Sequence, residues 1–326
     1  MDKLQVYGIG NVLIDIVVSV TDEELAELGL DKGIMRLTEG ADRERIVNFI
    51  STKESTFHCG GSAPNTIITL AQLGARAALS GKIGRDNFGD RYERQLHDHG
   101  VVSFLGRGDG NTGSSIIMVS PDSERTMNTS LENNRKYGIS DIQEDAIREA
   151  EYFYFTGYMW DTDSQKEALT RAIDVAKEAG TKIIFDAADP FAVQRSSGEF
   201  TRLIEKNFDI AFANAEEARL MFDCDDPQQC SVYLSDLCET AIVKNGGDGS
   251  FVKSGDETHK IPVYKVETVD TTGAGDIYAA GFIYGLCEGK SLDLCGHIAS
   301  KLAAGIVGQT GAQFTMDRLN KIKKDF

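Results

Sequence analysis

The sequence predicts an α/β fold with three layers (α/β/α), in which a doubly wound and mostly parallel β-sheet lies between two layers of α-helices. From residue 141 onward, short apolar segments rich in β-branched and aromatic residues alternate with helical patterns. Strands separated by helices need right-handed crossovers, which give a parallel sheet that helices cover on both faces. A second observation is a set of short extended segments outside this alternation, which predicts a small β-sheet lid over the ligand site.

Residues 4–20 begin the predicted sheet, because apolar and small residues alternate there and β-branched types are frequent. We expect a buried strand that runs through Gly8 and Gly10 into a second extended segment. Asp15 interrupts that segment between two isoleucines, where an acid needs a partner or a ligand; a turn aspartate is the alternative. The glycine pair is not a dinucleotide fingerprint, since Leu13 and strand-like residues follow it.

Residues 58–74 form the next informative stretch, after a short capped helix at 21–30 and a polar segment that reaches Phe57. Gly60 and Gly61 precede a helix that we expect Asn65 to open. Backbone amides of the glycines and the amide side chain of Asn65 can receive a ligand with several hydroxyl groups. Tight helix packing is the alternative for the glycines, and it explains Asn65 less well.

Residues 75–101 predict a strand, a glycine-rich loop and a helix. Residues 112–130 predict two short strands around a turn at Pro121, with Arg125 exposed just after the turn. These strands and the first extended segments make up the predicted lid. We therefore expect one domain, residues 1–326, whose lid is formed mainly from residues 12–57 and 112–130.

The second half of the chain carries the regular alternation, which begins with a helix at 141–149. Strands are predicted at YFYFTGY, KIIFDAAD, DIAFAN and ETAIVKNG, helices at 165–180, 200–207, 215–222 and 232–238, and further strands up to Val269. Ligands of such sheets bind beyond the carboxyl ends of the strands. The polar residues expected at those ends are Asp186, Asp189, Asn214, Glu217, Asn245 to Gly249 and Asp270 to Asp276.

The stretch from Glu267 to Gly289 has the pattern of an anion site. Gly273 and Gly275 allow a tight turn with exposed N–H groups, and the apolar helix that follows adds the positive end of its dipole. Asp276 lies where a base meets an incoming hydroxyl group. An acid weakens anion binding unless it has a role such as accepting a proton, and a helix N-cap is the alternative interpretation.

Three further patterns are weaker. The stretch at 285–291, GLCEGKS, is not a phosphate-binding loop, because it has one residue too few between its glycines and follows a helix. The turn from Gly246 to Gly249 fits a nucleotide contact or an ordinary hairpin. Asn214 and Glu217 fit a capping box or a magnesium contact through water.

Composition limits the partners of the protein. The net charge of -17, from 51 acidic and 34 basic residues, makes nucleic acid and anionic membranes poor candidates. The six cysteines include no C-x-x-C pair, which indicates reduced thiols, and no apolar window is long enough to span a membrane. We expect a cytoplasmic protein, either a monomer or a homodimer.

Together these motifs resemble the ribokinase/phosphofructokinase-B (PfkB) family of carbohydrate and nucleoside kinases. DTTGAGD at 270–276 and GGSAPNT at 60–66 are similar to its two signatures, and NAEE at 214–217 and NGGDG at 245–249 to its magnesium/phosphate element and nucleotide turn. Within the family, GNVLIDI at 10–16, SERTMNTSL at 123–131 and DPF at 189–191 most resemble the adenosine kinase-like branch.

The resemblance implies a ribokinase-like fold and transfer of the γ-phosphoryl group of ATP, with Mg²⁺, to a primary hydroxyl group. Adenosine is the favoured acceptor; a free pentose or hexose, or a non-catalytic nucleotide or sugar sensor, are the alternatives. Phe57, Phe104, Tyr158 and Trp160 are core residues or candidates to stack on a purine. For the reacting groups, the resemblance implies a catalytic base at Asp276, an anion hole at Gly273, Ala274 and Gly275, and acceptor contacts at Asp15, Gly60, Gly61 and Asn65. For ATP, it implies a lid arginine near the phosphates at Arg125 and nucleotide contacts at Asn214, Lys244, Gly246, Gly249, Thr271 and Ala303. For ions, it implies that Asn214 and Glu217 bind the waters of magnesium and that a monovalent cation can bind near Asp270, Thr272 and Gly311.

Overall fold

The computed structural model describes residues 3–122, 124–324 and 326 and contains two β-sheets. Fourteen strands form these sheets within the described ranges. They are β1 Val6–Ile9, β2 Leu13–Ser19, β3 Met35–Leu37, β4 Ser55–Gly60, β5 Ala77–Gly84, β6 Val102–Gly108, β7 Gly113–Val119, β8 Arg125–Ser130, β9 Tyr152–Thr156, β10 Lys182–Asp186, β11 Ile210–Asn214, β12 Thr240–Lys244, β13 Ser250–Ser254 and β14 Glu257–Ile261.

The large sheet has nine strands in the order β14-β13-β12-β11-β10-β9-β1-β5-β6. The seven strands from β12 to β6 pair in parallel, and β13 and β14 add an antiparallel edge. The chain begins in the middle of the sheet and builds outward on both sides of β1. This order confirms the predicted doubly wound, mostly parallel sheet.

Helices cover both faces of the large sheet and the outer face of the small sheet. They are α1 Asp22–Glu27, α2 Gly40–Ile50, α3 Ser62–Leu73, α4 Asn87–Asp98, α5 Glu144–Glu149, α6 Asp163–Ala179, α7 Pro190–Asn207, α8 Ala215–Phe222, α9 Pro227–Ser235, α10 Ala274–Cys287, α11 Leu292–Val307 and α12 Met316–Lys323. One core contains α3, α4, α10 and α11, and a second core contains α5 to α9. Because successive strand residues point to opposite faces, Tyr154 enters the first core while Phe153 and Phe155 enter the second. A strand buried on both faces is therefore apolar without alternation.

The small sheet has five strands in the order β3-β8-β7-β2-β4. Its strands come from residues 13–60 and 113–130, and its register places Asp15 opposite Ser115 and Ser115 opposite Thr129. One row of alternate residues borders a cavity, and the opposite row packs beneath α1 and α2. The polar segment before Phe57 thus contains α2, which sequence periodicity did not resolve.

Several predicted boundaries were wrong. The helix expected to open at Asn65 begins at Ser62, and the helix expected at 200–207 begins at Pro190, where the side chain of Asp189 caps it by accepting the Phe191 N–H at 3.1 Å. The helix expected at 232–238 is α9, which begins at Pro227.

The strands predicted up to Val269 end at Ile261. The 262–270 segment lies along α11 instead of pairing with a strand, because its backbone is held by that helix. Ser300 Oγ donates to the Pro262 carbonyl at 2.6 Å, and the amides of Val269 and Asp270 donate to the Val307 carbonyl. The 270–276 stretch therefore follows a loop and not the carboxyl end of a strand. Within the described ranges, no helix is both long and apolar enough to cross a lipid bilayer.

Candidate active site

A cavity of about 1300 Å³ lies between the carboxyl ends of the parallel strands, the small sheet, α10 and α11. It collects residues that are far apart in the chain, as expected for an open α/β sheet. Fourteen of the predicted site residues line it: Asp15, Gly61, Asn65, Asn214, Glu217, Lys244, Gly246, Gly249, Thr271, Gly273, Ala274, Gly275, Asp276 and Ala303. The two other predicted site residues, Gly60 and Arg125, adjoin it through Asp15 and Thr272.

Asp276 is the third residue of α10, whose N-cap is Gly273 with a left-handed φ of 75°. Its carboxylate accepts two hydrogen bonds from α3, from Ser62 Oγ at 2.6 Å and from Asn65 Nδ2 at 2.9 Å. Burial raises the pKa of Asp276 to about 7, although both hydrogen bonds favour the charged form. The carboxyl group is thus directed toward a neighbouring helix, and its pKa lies near neutrality.

Ser62 was not predicted from the sequence. A serine between glycine and alanine gives no signal of its own, because serine is common wherever a helix begins. Ser62 is the first residue of α3, and Gly61 before it has a φ of 105°, which turns the chain into the helix. A Cβ atom at Gly61 would lie 2.2 Å from the Asn11 carbonyl oxygen, so close backbone packing requires this glycine.

Asp15 lies on β2 and faces the cavity from the small sheet. Burial raises its pKa to about 7, the Arg125 charge lowers it, and the Asp276 carboxylate raises it further. A Cβ atom at Gly60 would lie 2.4 Å from the Asp15 carboxyl atoms. Gly60 is therefore a glycine because the Asp15 carboxyl group occupies the space of its side chain.

Lys244, at the end of β12, pairs with Asp186 at the end of β10. The Nζ atom lies 2.8 Å from Asp186 Oδ2 and 3.2 Å from Oδ1; the Asp186 side chain is almost completely buried, and the Lys244 side chain is 13% exposed. Burial disfavours the lysine charge, but the adjacent carboxylates of Asp186 and Glu217 outweigh it and raise the pKa of Lys244. A Cβ atom on Gly275 would lie 3.5 Å from this ammonium group, which places the positive charge at the start of α10.

Asn214 and Glu217 form a capping box at the start of α8. The Asn214 backbone amide donates to Glu217 Oε2 at 2.7 Å, its side-chain amide donates to Oε1 at 2.6 Å, and Glu217 N–H donates to Asn214 Oδ1 at 2.8 Å. Burial nonetheless raises the pKa of Glu217 to about 7, against the lowering effect of Lys244. Both carboxylate oxygens already accept hydrogen bonds, so a metal ion fits here through water better than by direct contact.

Arg125 is largely buried, not exposed as predicted, because it forms an ion pair with Asp270. Its Nη1 atom lies 2.9 Å from Asp270 Oδ2 and also donates to Thr272 Oγ1 at 2.7 Å. Asp270 accepts the Gly311 N–H at 2.8 Å as well. This contact joins β8 of the small sheet to the loop before α10. Ser123, the first residue of the motif at 123–131, lies outside the described residues.

The cavity has two groups of lining residues. The first, which we call the apolar wing, contains Leu13, Met35, Leu37, Ile117, Met127, Leu131, Tyr158 and Phe191. The second, which we call the loop wing, contains Gly246, Gly249, 263–266, Thr268, Ser300, Ala303, Ala304 and Val307. Asp276 lines the same cavity, is hydrogen-bonded to α3 and is near the charge of Lys244.

Of the four aromatic residues considered from the sequence, only Tyr158 lines the cavity. Phe57 packs against Phe88, Phe104 packs against Tyr7, and Trp160 donates a hydrogen bond to a glutamate. Phe191 lines the apolar wing and was missed, because the sequence does not show that α7 begins at the cavity.

The fold and the residues at this cavity define a phosphotransferase that uses a hydroxyl group as acceptor. The family model of the pfkB family carbohydrate kinases matches residues 39–319. The chain belongs to this family.

Individual relatives include nucleoside and sugar kinases. The chain is 34% identical to adenosine kinase from Sinorhizobium meliloti, with a TM-score of 0.90 and 100% of both chains covered. It is 31% identical to a probable sugar kinase from Rhizobium etli, with a TM-score of 0.91 over 100% of this chain and 99% of the other. The 5-dehydro-2-deoxygluconokinase of Shouchella clausii is 27% identical over 83% of this chain and 87% of the relative.

Proposed function

We propose that this chain transfers the γ-phosphoryl group of ATP to the primary hydroxyl group of a nucleoside, with adenosine as the favoured acceptor. The observation that carries the proposal is the apolar wing, which adjoins the polar groups of Asp15 and Asn65 in one cavity. The side chains of Asp15 and Asn65 suit the hydroxyl groups of a ribose, whereas the apolar side chains of the wing and Tyr158 suit a flat base. A free sugar has no apolar part to fill this wing.

Asp276 is the proposed general base. Asn65 donates to its carboxylate through Nδ2, which leaves Asn65 Oδ1 buried and without a hydrogen-bond partner among the described residues. A buried acceptor of this kind is costly unless a ligand satisfies it, and a hydroxyl group of the acceptor molecule is a suitable donor. The hydroxyl group that reacts would then lie beside the Asp276 carboxylate, whose pKa of about 7 suits proton transfer near neutral pH.

The start of α10 is the proposed anion hole. The first N–H groups of a helix have no partner within it, and the helix dipole favours negative charge there. Ala274 N–H makes only a 3.2 Å turn contact with the Thr271 carbonyl, and Gly273 and Gly275 present backbone without side chains. Lys244 would add its charge close to Gly275. Positioned donors of this kind stabilise the charge that spreads over a phosphoryl group in transfer.

The loop wing is the proposed site of the ATP nucleotide, with the small residues Ala303 and Ala304 of α11 beside the adenine. Among the described residues, no cluster of three or more His, Cys, Asp or Glu side chains is arranged to hold a metal ion. The site therefore fits an Mg²⁺ ion that is held mainly by phosphate oxygens and water, and Glu217 and Asn214 would bind those water molecules. When bound, the ion would supply charge neutralisation at the phosphates.

We propose that the small sheet acts as a lid that excludes water from the reacting groups. Asp15 reaches the cavity from β2, and Arg125 ties β8 to the loop before α10 through Asp270. Excluding water prevents it from competing with the acceptor hydroxyl group and strengthens the electrostatic interactions inside the site. The Arg125 guanidinium already supplies a cation at Asp270, in the neighbourhood where the family resemblance implied a monovalent ion.

A free sugar or sugar derivative is the second candidate acceptor, because one relative is named 5-dehydro-2-deoxygluconokinase and one structural neighbour is named a probable sugar kinase. The test is an ADP-coupled assay with adenosine, inosine, ribose, fructose and 5-dehydro-2-deoxygluconate as acceptors. Adenosine should give the highest kcat/KM. A higher kcat/KM for a free sugar would overturn the nucleoside assignment, and ATP binding without turnover of any acceptor would favour the sensor.

A matched variant tests the role of the apolar wing. Leu37→Asn should reduce kcat/KM for a nucleoside and leave kcat/KM for a free sugar unchanged, since only the base would contact this position. Val47→Asn is the control, because Val47 on α2 is 40% exposed, close to the 48% of Leu37, and does not line the cavity.

A further inference from the structure

The outer face of the small sheet contains an unusual group of polar side chains beneath α2. Arg36 on β3 lies opposite Asn128 on β8 and donates from Nε to Asn128 Oδ1 at 3.0 Å. Arg43, in the first turns of α2, reaches down to the same strand pair, where it donates to the Asn128 carbonyl at 3.3 Å and to Ser114 Oγ. Two guanidinium groups thus meet at one asparagine.

These two arginines have no carboxylate partner. In the described part of the chain, no acidic oxygen lies within ion-pair distance of Arg36 or Arg43, whereas most other arginines have such a partner. Glu132 influences Arg43 only at longer range, and its own carboxylate accepts from Ser130 Oγ at 2.9 Å. Positive charge that is partly withdrawn from water is therefore not balanced here.

Three donors in the same group are buried without a hydrogen-bond partner among the described residues. They are Arg36 Nη2, Asn128 Nδ2 and Thr38 Oγ1. Asn128 is completely buried, and Thr38 is 3% exposed. Thr38 follows Arg36 by two residues, so both side chains lie on one face of the sheet. An unsatisfied buried donor is costly, and three of them on one face need an acceptor.

We propose that this group, Arg36, Thr38, Arg43 and Asn128, binds a small oxyanion such as inorganic phosphate between α2 and the small sheet. An oxyanion supplies the acceptors that all three orphaned donors lack, and its charge balances the two guanidinium groups. Arg36 also borders the cavity because β3 is an edge strand, but its guanidinium group is bonded to Asn128, which does not line the cavity. The site is therefore distinct from the start of α10 and does not depend on the proposed function.

The bound anion would join α2 to β3, β7 and β8. The opposite face of these strands carries Leu37, Ile117 and Met127 of the apolar wing. Occupancy of the site would stabilise the small sheet and with it the wall of the cavity. The anion would thus act on the fold of the small sheet and not on the reacting groups.

The test is equilibrium urea unfolding at increasing inorganic phosphate, with ionic strength held constant by sodium chloride. When the free phosphate concentration exceeds the dissociation constant of this site, the unfolding equilibrium constant of the natural protein should fall about tenfold for each tenfold rise in that concentration. Arg36→Gln and Arg43→Gln should lose this dependence. Arg45→Gln removes the same charge from α2 at an exposed residue paired with Asp42, and it should keep the dependence.

A further variant covers the case in which the arginine variants fold poorly. Asn128→Asp places a permanent carboxylate between the two guanidinium groups, so it should be more stable than the natural protein without phosphate and respond less to phosphate. Phosphate bound only at the start of α10 would stabilise all of these proteins equally, and that result would overturn the proposal. No response in the natural protein would overturn it too, since it would mean that water satisfies the donors. Repeating the titration with acetate separates phosphate from carboxylate ligands.

Discussion

Asp276→Asn separates the chemical role of the carboxylate from its role in the fold. Asparagine keeps the shape of the side chain and can still bond to Ser62 and Asn65, but it cannot accept a proton. A general base typically accelerates a reaction by ~10²–10⁴-fold. We expect the single-turnover rate to fall by this factor while the dissociation constant of ATP changes little, because the proposed base would act on the acceptor hydroxyl group and not on ATP.

The same substitution should stabilise the protein above neutral pH. The folded-state pKa of Asp276 is raised from 3.8 to about 7, so the unfolded chain ionises first as pH rises and stability falls until pH passes about 7. At about 1.4 kcal/mol per pKa unit, the carboxyl group costs at most about 4 kcal/mol above pH 7. The gain in the free energy of unfolding of Asp276→Asn over the natural protein should then be about 2–3 kcal/mol larger at about pH 8 than at about pH 5.

Two measurements test these expectations on one pair of proteins. Rapid-quench analysis of ADP formation gives the single-turnover rate, and urea unfolding at the two pH values gives the free energies of unfolding. An undiminished rate with the true acceptor would refute the assignment of Asp276 as the base. If Asp276→Asn gains the same free energy of unfolding at both pH values, burial does not raise the pKa of Asp276, since the carboxyl group would then titrate in the folded protein as it does in the unfolded chain.

Three further substitutions follow from the same geometry. Ser62→Ala removes a hydrogen bond that lowers the pKa of Asp276, so the rising limb of the pH profile of kcat/KM should move above about pH 7. Lys244→Met leaves Asp186 buried without its cation, and urea unfolding should show a loss of about 3–5 kcal/mol. Gly61→Ala forces a Cβ atom against a carbonyl oxygen at a φ of 105°, and it should cost more than about 1 kcal/mol in the same assay.

Each of these variants has a control. Ser235→Ala removes a serine that bonds only to its own helix, so the pH profile should not move. Lys182→Met breaks an exposed ion pair with Glu239 and should cost at most about 1 kcal/mol. Gly180→Ala also has a positive φ, 73°, but no atom lies within 4 Å of the added Cβ. If it costs as much as Gly61→Ala, backbone conformation alone explains both losses, and close packing at Gly61 contributes nothing.

The parallel core of the fold was predictable because its signal is local. The segments YFYFT, KIIFD and IAFAN each contain a run of three or four consecutive apolar residues, and the structure buries nearly all of these residues on both faces between two helical layers. The ends of the strands were harder to predict where contacts with distant parts of the chain determine them. The 262–270 segment contains valine and tyrosine and resembles a strand, yet its backbone bonds to α11, which no local pattern reveals.

The motif residues of the site were likewise predictable, whereas their partners were not. Glycines and acids at strand ends and helix starts are visible in the sequence, since each carries its own conformational or chemical signal. The pairing of Lys244 with Asp186 joins residues 58 positions apart, and the pairing of Arg125 with Asp270 joins the small sheet to the loop before α10. Such contacts depend on how the layers pack. The sequence therefore predicts Arg125 at the surface and gives no signal for Ser62.

The raised pKa of Asp276 supports the proposed role of an acid at an anion site. A helix N-terminus favours a carboxylate, yet the pKa of this group is raised, so desolvation outweighs the helix dipole together with the hydrogen bonds from Ser62 and Asn65 and the charge of Lys244. Without these favourable contacts, the pKa would rise further and the carboxyl group would stay protonated. Without burial, it would ionise fully but be too weak a base. The opposing effects leave a pKa near neutrality, where a base is deprotonated often enough and still accepts a proton strongly enough to act.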